Sequence, residues 1–224
     1  MFWRFGGIWR WIVLGLAAVG ASTVSRTPVL GVVLLSCAAA ICFLYRSPKR
    51  YPPEAAPIVV SPCDGVINEI KHVENSPCFG GKVIVVSFSN SLFDVHLIRS
   101  PVTGKVSDRP LKPDHPEGEE SQDPCWSKKI PAILLTDTRG KLLFLSQADD
   151  SSWNRAVFAC QPGDVVELGA AIGMLPLGCG LKLLFPEESE YNLVVSPGKR
   201  IRGGETVIAV RRSSLVDHIV LEES

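Results

Sequence analysis

Residues 161–173, QPGDVVELGAAIG, and residues 196–208, SPGKRIRGGETVI, share one pattern that decides the fold. In each stretch a Pro-Gly pair is followed three positions later by a β-branched residue, and a further three positions on by a second glycine. Pro-Gly predicts a tight turn, and the β-branched residue predicts a short strand that the second glycine ends. One turn-and-strand unit is therefore used twice.

Short β-branched segments separated by turn signals extend from this repeat in both directions. The clearest strand is residues 82–88, KVIVVSF, and residues 131–136 and 141–145 flank the turn sequence DTRG at 137–140. That arrangement predicts a hairpin within a mainly β domain. The repeated turn pattern is typical of lipoyl-like, barrel-sandwich β domains, which carry several different functions. A lipoyl carrier has its modified lysine at the tip of a tight Met-Lys hairpin, and this sequence has no such hairpin.

Composition excludes some functions. The chain has 224 residues, and its 23 Lys and Arg residues balance 23 Asp and Glu residues. Zero net charge argues against a nucleic-acid partner, because a duplex binder needs a concentrated basic face. Seven cysteines are present without a CxxC pair or a Cys/His cluster of zinc spacing. We therefore expect reduced thiols and no metal site.

The N-terminal residues 1–50 are predicted to anchor the chain in a membrane. Residues 8–24 and 28–45 are apolar runs close to the length of a membrane-spanning helix, and only residues 25–27 separate them. A cleaved signal peptide, with AVGA at 18–21 as its site, is less favoured because a second apolar run follows directly. Buried core helices are less favoured because both runs are apolar on every side. We therefore expect an N-terminal membrane helical hairpin.

Charge placement predicts the orientation of this anchor. Basic residues lie at the outer ends of the apolar pair: Arg4 and Arg10 before or near the start of the first run, and Arg46, Lys49 and Arg50 after the second. The intervening segment has only Arg26. The positive-inside rule therefore places both ends, and with them the main domain, on the cytoplasmic face of the cell membrane.

The remaining boundaries follow from changes in composition. Residues 51–57 form a proline-rich linker, residues 58–212 the β domain, and residues 213–224 a polar C-terminal tail. Within the domain, residues 107–128 are polar and rich in proline, which predicts a long loop with a solvated acidic cluster.

Three side chains could carry chemistry. Gly178 precedes Cys179 between two apolar, strand-like segments, so a nucleophile adjoins an unhindered peptide carbonyl that it could attack. His96 lies in the apolar segment 93–98, where a histidine is either a satisfied core group or a positioned acid or base. Asp64 follows a proline in the sequence SPCDG, which is either an ordinary turn or the site of a carboxylate that orients a histidine.

Short motifs spread along the chain together resemble one family. Residues 43–50, FLYRSPKR, are similar to its motif FFRDPxR, and residues 61–65, SPCDG, are similar to SPADG. Residues 93–101, FDVHLIRSP, resemble xxVHVNRxP, residues 177–180, LGCG, fall on FGSR, and residues 198–207 fall on a closing GxxVxxGETV. On these motifs the chain resembles the phosphatidylserine decarboxylase family, in particular its short bacterial-type proenzymes. The combination is specific, although no single motif is.

The resemblance implies a self-cleaving enzyme that converts phosphatidylserine, or a related phosphoserine lipid, to phosphatidylethanolamine and carbon dioxide. Such proenzymes cut themselves before a serine, which becomes a pyruvoyl group that replaces a dissociable cofactor and serves as an electron sink. Carried over by position, Cys179 is the pyruvoyl precursor, His96 is the base, and Asp64 orients that base. Cleavage before Cys179 gives chains 1–178 and 179–224, which stay together as a heterodimer.

The chain departs from the family pattern at the reacting position itself. Cys179 replaces the serine, Gly180 an arginine and Ile98 an asparagine. A thiolate forms more readily than an alkoxide, and a thiocarboxylate is a good leaving group, so cysteine at the Gly178–Cys179 bond does not forbid the chemistry. The alternative is an uncleaved, non-catalytic homologue that keeps the fold and binds lipid.

Overall fold

The computed structural model describes residues 7–44, 46–54, 58–76, 79, 81–107, 131–138, 142–148, 155–175, 178–187 and 191–211. The predicted loop at 107–128, apart from its first residue, lies outside these residues, as does the predicted tail at 213–224. Part of the predicted linker, residues 55–57, and Arg139 and Gly140 of the predicted hairpin turn also lie outside them.

Helices α1 and α2 precede the β domain. Helix α1 spans Gly7–Thr23 and helix α2 spans Pro28–Leu44, each within one residue of the predicted bounds. Proline fits the first turn of α2 because its ring fixes a helical φ where no N–H is needed. The helices approach closely at their glycines, since a Cβ on Gly31 would lie 2.9 Å from the Gly20 carbonyl oxygen. No helix among the described residues is long and apolar enough to cross a membrane.

The described residues from 58 onward form mainly antiparallel β-strands, which confirms the predicted mainly β fold class. The strands are β1 Ile58–Val60, β2 Gly65–Ser76, β3 Gly81–Ser89, β4 Leu97–Arg99, β5 Gly104–Val106, β6 Ala132–Asp137, β7 Leu142–Gln147, β8 Val157–Phe158, β9 Val165–Val166, β10 Ala171–Met174, β11 Gly180–Pro186, β12 Tyr191–Leu193, β13 Arg200–Ile201 and β14 Val207–Arg211. An eight-stranded sheet has the order β13-β2-β3-β11-β7-β6-β5-β9, beside three-stranded sheets β1-β14-β12 and β4-β10-β8. Strands β6 and β7 pair across the predicted hairpin turn.

Strand β3 is buried on both faces of the large sheet. Ile84, Val86 and Phe88 enter the main hydrophobic core, whereas Val83 and Val85 enter a second cluster on the opposite face. This alternation explains why the strand is a continuous apolar run rather than an amphipathic one. Its pairing with β11 holds the end of β3 beside the start of β11, which is where Cys179 lies.

The repeated Pro-Gly pattern in the sequence is also a repeat in the structure. Strands β9 and β13, one from each stretch, lie at opposite ends of the eight-stranded sheet. The second glycines of the two stretches, Gly169 and Gly204, have φ of 72° and 79°, a left-handed conformation that explains their choice. They also pack together, since a Cβ on Gly204 would lie 3.4 Å from the Gly169 Cα. The glycines therefore allow both the turns and their close approach.

Candidate active site

The Gly178–Cys179 bond lies where the chain turns from β10 into β11. Gly178 is exposed and has φ of 73°, in the left-handed region, and a Cβ built on it would meet nothing within 4 Å. Cys179 is only 5% exposed, and β11 begins at the next residue. An exposed glycine therefore precedes a buried thiol. Its left-handed φ favours glycine at position 178, whereas neighbouring atoms leave room for a side chain there.

Gln147 contacts the buried thiol directly. It ends strand β7, whose register places it opposite Leu181 of β11. The amide nitrogen Nε2 donates to Cys179 Sγ at 3.8 Å, and the amide oxygen Oε1 accepts from the Ala156 N–H at 2.7 Å. Gln147 is 1% exposed, so neither contact competes with solvent. The second contact fixes the amide rotamer, and with it the donor that faces sulfur.

Sequence reasoning missed Gln147 as a site residue. A signal was present, because Gln147 is a polar residue at the end of the strand LLFLSQ, and a buried amide needs a specific partner. The partner, however, lies 32 residues away, and only the strand register brings the two together.

Asn90 joins the segments that carry Asp64 and His96. Asn90 follows Ser89, which pairs with Gly180 in the antiparallel ladder of β3 and β11. The next position along this ladder would place Asn90 opposite Cys179. Its Nδ2 donates to the Asp64 carbonyl oxygen at 2.9 Å and to the Val95 carbonyl oxygen at 3.3 Å. Asn90 is buried, so these bonds fix the relative positions of both backbone segments.

His96 is buried at the end of helix α2. Its Nδ1 lies 3.3 Å from the Leu44 carbonyl oxygen. Because a carbonyl only accepts, this bond requires the proton on Nδ1 and leaves Nε2 as the basic nitrogen. The His96 carbonyl oxygen accepts from Leu175 N–H at 2.8 Å, four residues before Cys179.

The environment of His96 favours its neutral form. Burial lowers the pKa of the imidazole, and this effect outweighs the opposing influence of the Leu44 hydrogen bond and the nearby Asp94 carboxylate. A neutral imidazole whose basic nitrogen is Nε2 is the form that a general base needs at neutral pH.

Asp64 binds a cation and a backbone amide. Its Oδ2 lies 2.7 Å from Arg50 Nη2, and its Oδ1 accepts from Gly203 N–H at 2.7 Å. Arg50 also pairs with Glu205 at 3.1 Å. In this conformation the carboxylate is held by Arg50 and Gly203, while the Leu44 carbonyl fixes the tautomer of His96. The predicted role of Asp64 in orienting His96 stays a prediction.

The departures at Gly180 and Ile98 have local explanations. A Cβ on Gly180 would lie 2.5 Å from the Phe88 carbonyl oxygen and 2.9 Å from the Ala148 Cβ, so a side chain there has no room. Ile98 is fully buried in the main core. Burial, together with the Asp64 and Asp94 carboxylates, raises the pKa of the buried Cys63 thiol well above its usual range. Cys63 is therefore an inert core thiol.

The predicted residues thus lie on segments that are bonded to one another. Cys179 directly precedes β11, which pairs with β3. Asn90 links the end of β3 to Asp64 and to the residue before His96, and the His96 carbonyl bonds to the segment before Gly178. Within the described residues, no three His, Cys, Asp or Glu side chains gather as metal ligands. The expectation of no metal stays a prediction.

Comparison with known proteins gives one consistent result. The family model described as phosphatidylserine decarboxylase matches residues 38–209. A relative from Desulfotalea psychrophila is 28% identical over 193 residues, covering 84% of this chain and 86% of the relative. One from Symbiobacterium thermophilum is 33% identical over 186 residues, covering 80% and 82%, and one from Solibacter usitatus is 31% identical over 187 residues, covering 82% and 85%. Each relative is named phosphatidylserine decarboxylase proenzyme.

Proposed function

Because this chain belongs to the phosphatidylserine decarboxylase family, we propose that it is a self-processing carboxy-lyase. It converts phosphatidylserine, or a related phosphoserine lipid, to phosphatidylethanolamine and carbon dioxide. The observation that carries this proposal is the buried Cys179 thiol, which directly follows a left-handed glycine and accepts a hydrogen bond from Gln147.

Processing begins with the Cys179 thiol. His96 takes the thiol proton, and Sγ adds to the carbonyl carbon of Gly178. A carbon–sulfur bond forms, the peptide C–N bond breaks, and the freed amine takes a proton, which leaves a thioester. Gln147 supports this step because its N–H lies against the sulfur on which charge develops.

The thioester is then resolved by elimination. A proton leaves the Cα of residue 179, the Cβ–S bond breaks, and the electron pair departs on sulfur as a thiocarboxylate at the end of chain 1–178. The remaining dehydroalanine takes up water and releases ammonia, which leaves a pyruvoyl end on chain 179–224. The two chains stay paired, since β3 of one and β11 of the other share a long antiparallel ladder.

The residues present suit a self-derived pyruvoyl group. Residue 179 supplies the Cα, the Cβ and a leaving heteroatom, and Gly178 has no side chain beside the carbonyl carbon that the sulfur attacks. Once formed, the group supplies an electron sink for loss of the substrate carboxylate. The chain's own contribution is the neutral His96, which can accept or return a proton at Nε2, and the fixed Gln147 amide beside residue 179.

The location of the enzyme is part of the proposal. Helices α1 and α2 anchor the chain at the cell membrane with the β domain on the cytoplasmic face. Support comes from large apolar side chains that helix α2 exposes, such as Val29 at 79% and Val32 at 57%, and from basic residues that flank the pair of helices.

We also infer a lipoyl-like barrel-sandwich arrangement of the β-strands, supported by the two Pro-Gly stretches and their packed glycines.

Intact-mass spectrometry of the purified protein tests the proposal. Wild type should give chain 179–224 with a blocked pyruvoyl end and chain 1–178 with sulfur in place of one terminal oxygen. Cys179→Ser should be cut with an ordinary carboxylate on the first chain, and Cys179→Ala should stay whole. A single uncut mass for wild type, with cutting gained only in Cys179→Ser, would favour a non-catalytic homologue. An uncut Cys179→Ser protein would mean that more than one atom of the site is lost.

A further inference from the structure

The turn formed by residues 91–94 exposes two large apolar side chains just before the buried His96. Leu92 is 53% exposed and Phe93 is 71% exposed. The turn is held rigidly, because Asp94 N–H donates to the Ser91 carbonyl at 3.0 Å and Asp94 Oδ2 accepts from Ser91 N–H at 2.9 Å. Hydrophobic side chains fixed in water are unfavourable unless another surface covers them.

Arg46 connects this turn to the end of helix α2. Its Nη2 donates to the Phe93 carbonyl at 2.9 Å, its Nη1 donates to the Phe43 carbonyl at 3.1 Å, and its guanidinium lies 4.2 Å from the centre of the Phe43 ring. Phe43 is itself 54% exposed. Arg46 therefore connects Phe43 to the turn that carries Leu92 and Phe93, and we call the exposed side chains of these three apolar residues the tip surface.

We propose that the tip surface docks into the headgroup layer of an anionic phospholipid bilayer. The inference deepens the proposed function, on which it rests, because it would hold the site at the depth of a lipid headgroup. Phe93 is three residues from His96, and the Leu44 carbonyl that binds His96 directly follows Phe43. Substrate would then reach the site without leaving the membrane surface.

The charges around the tip surface favour a bilayer over a protein partner. Arg46 donates to the carbonyl oxygens of Phe43 and Phe93, so these contacts leave its positive charge in place. Arg200, whose side chain is 75% exposed, pairs with Asp94 at 2.7 Å and offsets the only carboxylate of the turn. Apolar side chains flanked by cations are the combination that binds anionic lipid. The surface is also continuous with helix α2, whose exposed apolar side chains run along its length.

Site-specific photo-cross-linking tests the contact directly. The full-length chain carries Phe93→p-benzoylphenylalanine and is reconstituted in vesicles of phosphatidylcholine and phosphatidylglycerol. The matched control is Val165→p-benzoylphenylalanine, because Val165 is also a strongly exposed apolar residue, at 78%. It lies on β9, whereas the turn is bonded through Arg200 to β13, the strand at the other end of the sheet order. We expect lipid adducts at position 93 at about ten times the control yield, as insertion of an apolar side chain predicts.

Equal lipid adducts at both positions, or adducts to protein alone at position 93, would overturn the proposal. This readout needs no enzymatic activity, so it stands even if the protein does not decarboxylate lipid, an outcome that would refute only the proposed function.

A kinetic comparison tests the consequence for substrate. Leu92→Ser combined with Phe93→Ser should raise KM for phosphatidylserine in vesicles about tenfold relative to KM for a short-chain, monomeric phosphatidylserine. Val165→Ser should leave that ratio unchanged. An equal rise in KM for both forms of substrate would contradict a role at the bilayer, because only the vesicle substrate needs docking.

Discussion

Replacing Gln147 by glutamate should slow self-cleavage while keeping the fold. Gln147→Glu retains an oxygen to accept from Ala156 N–H but replaces the N–H that faces Cys179 Sγ. Gln147 is 1% exposed, so water cannot supply the missing donor. A hydrogen bond to a charged group contributes about 1.5–3 kcal/mol. If it forms fully on the developing thiolate, cutting should slow by about 10-fold to 150-fold.

The pH profile separates this role from a structural one. Burial raises the pKa of a carboxyl group, and a protonated carboxyl group at position 147 could again donate to sulfur. The deficit of Gln147→Glu relative to wild type should therefore shrink in acid and grow as pH rises. The assay follows the uncut and cut masses over time after cell-free synthesis, with Ser146→Ala, a buried neighbour on the same strand, as the control. Wild-type cutting by Gln147→Glu across the pH range, at an unchanged Tm, would refute the reasoning.

Three further predictions concern the base, the glycine and the orientation. His96→Ala should leave an uncut chain by intact mass. Because burial lowers the pKa of His96, the unfolded chain binds a proton at this residue more readily than the folded chain does. The free energy of unfolding should therefore decrease as pH falls below about 6.5. Denaturation measured from neutral to acid pH should show this decrease in wild type and a smaller one in His96→Ala. Gly178→Ala should lower the free energy of unfolding by about 1–2 kcal/mol because of the left-handed φ of Gly178 alone. Urea unfolding in a Cys179→Ala background measures this loss. Gly81→Ala is the control and should not destabilise, since a Cβ there also meets nothing within 4 Å but φ is not positive. Protease added outside spheroplasts should leave residues 51–224 intact, and degradation of that domain would rule out the predicted orientation.

Local sequence patterns predicted the elements well because those elements depend on local physics. Apolar runs interrupted by Ser25-Arg26-Thr27 define both helices, and a continuous β-branched run defines β3, which is buried on both of its faces. The glycines of the Pro-Gly stretches were predicted from turn chemistry, and their left-handed φ values explain it. None of these inferences requires knowledge of distant contacts.

The contacts within the site could not be predicted in the same way. Gln147 reaches Cys179 through the register of β7 against β11, and the Leu44 carbonyl reaches His96 across 52 residues of chain. The role of Asp64 in orienting His96, which the resemblance implies, stays a prediction. The ion pair of Asp64 with Arg50 could not be predicted, because a turn carboxylate attracts any nearby cation. Hydropathy tells which face a residue takes, but not which partner it meets there.

The segment that follows helix α2 explains why the motif FLYRSPKR belongs to the site. Leu44, the last residue of α2, and every second residue after it contact the β domain. The contacts are Leu44 with His96, Arg46 with Phe93, Pro48 with Arg99, and Arg50 with Asp64. A period of two is that of an extended chain, one side of which faces the domain while Lys49 on the other side is exposed. The positions that match the family motif, Arg46, Pro48 and Arg50, are therefore among those that contact the β domain. A domain that began at residue 51 would keep the strands but lose the carbonyl that fixes the His96 tautomer and the cation that pairs with Asp64. The end of helix α2 and the candidate site are consequently joined by hydrogen bonds into one structural unit.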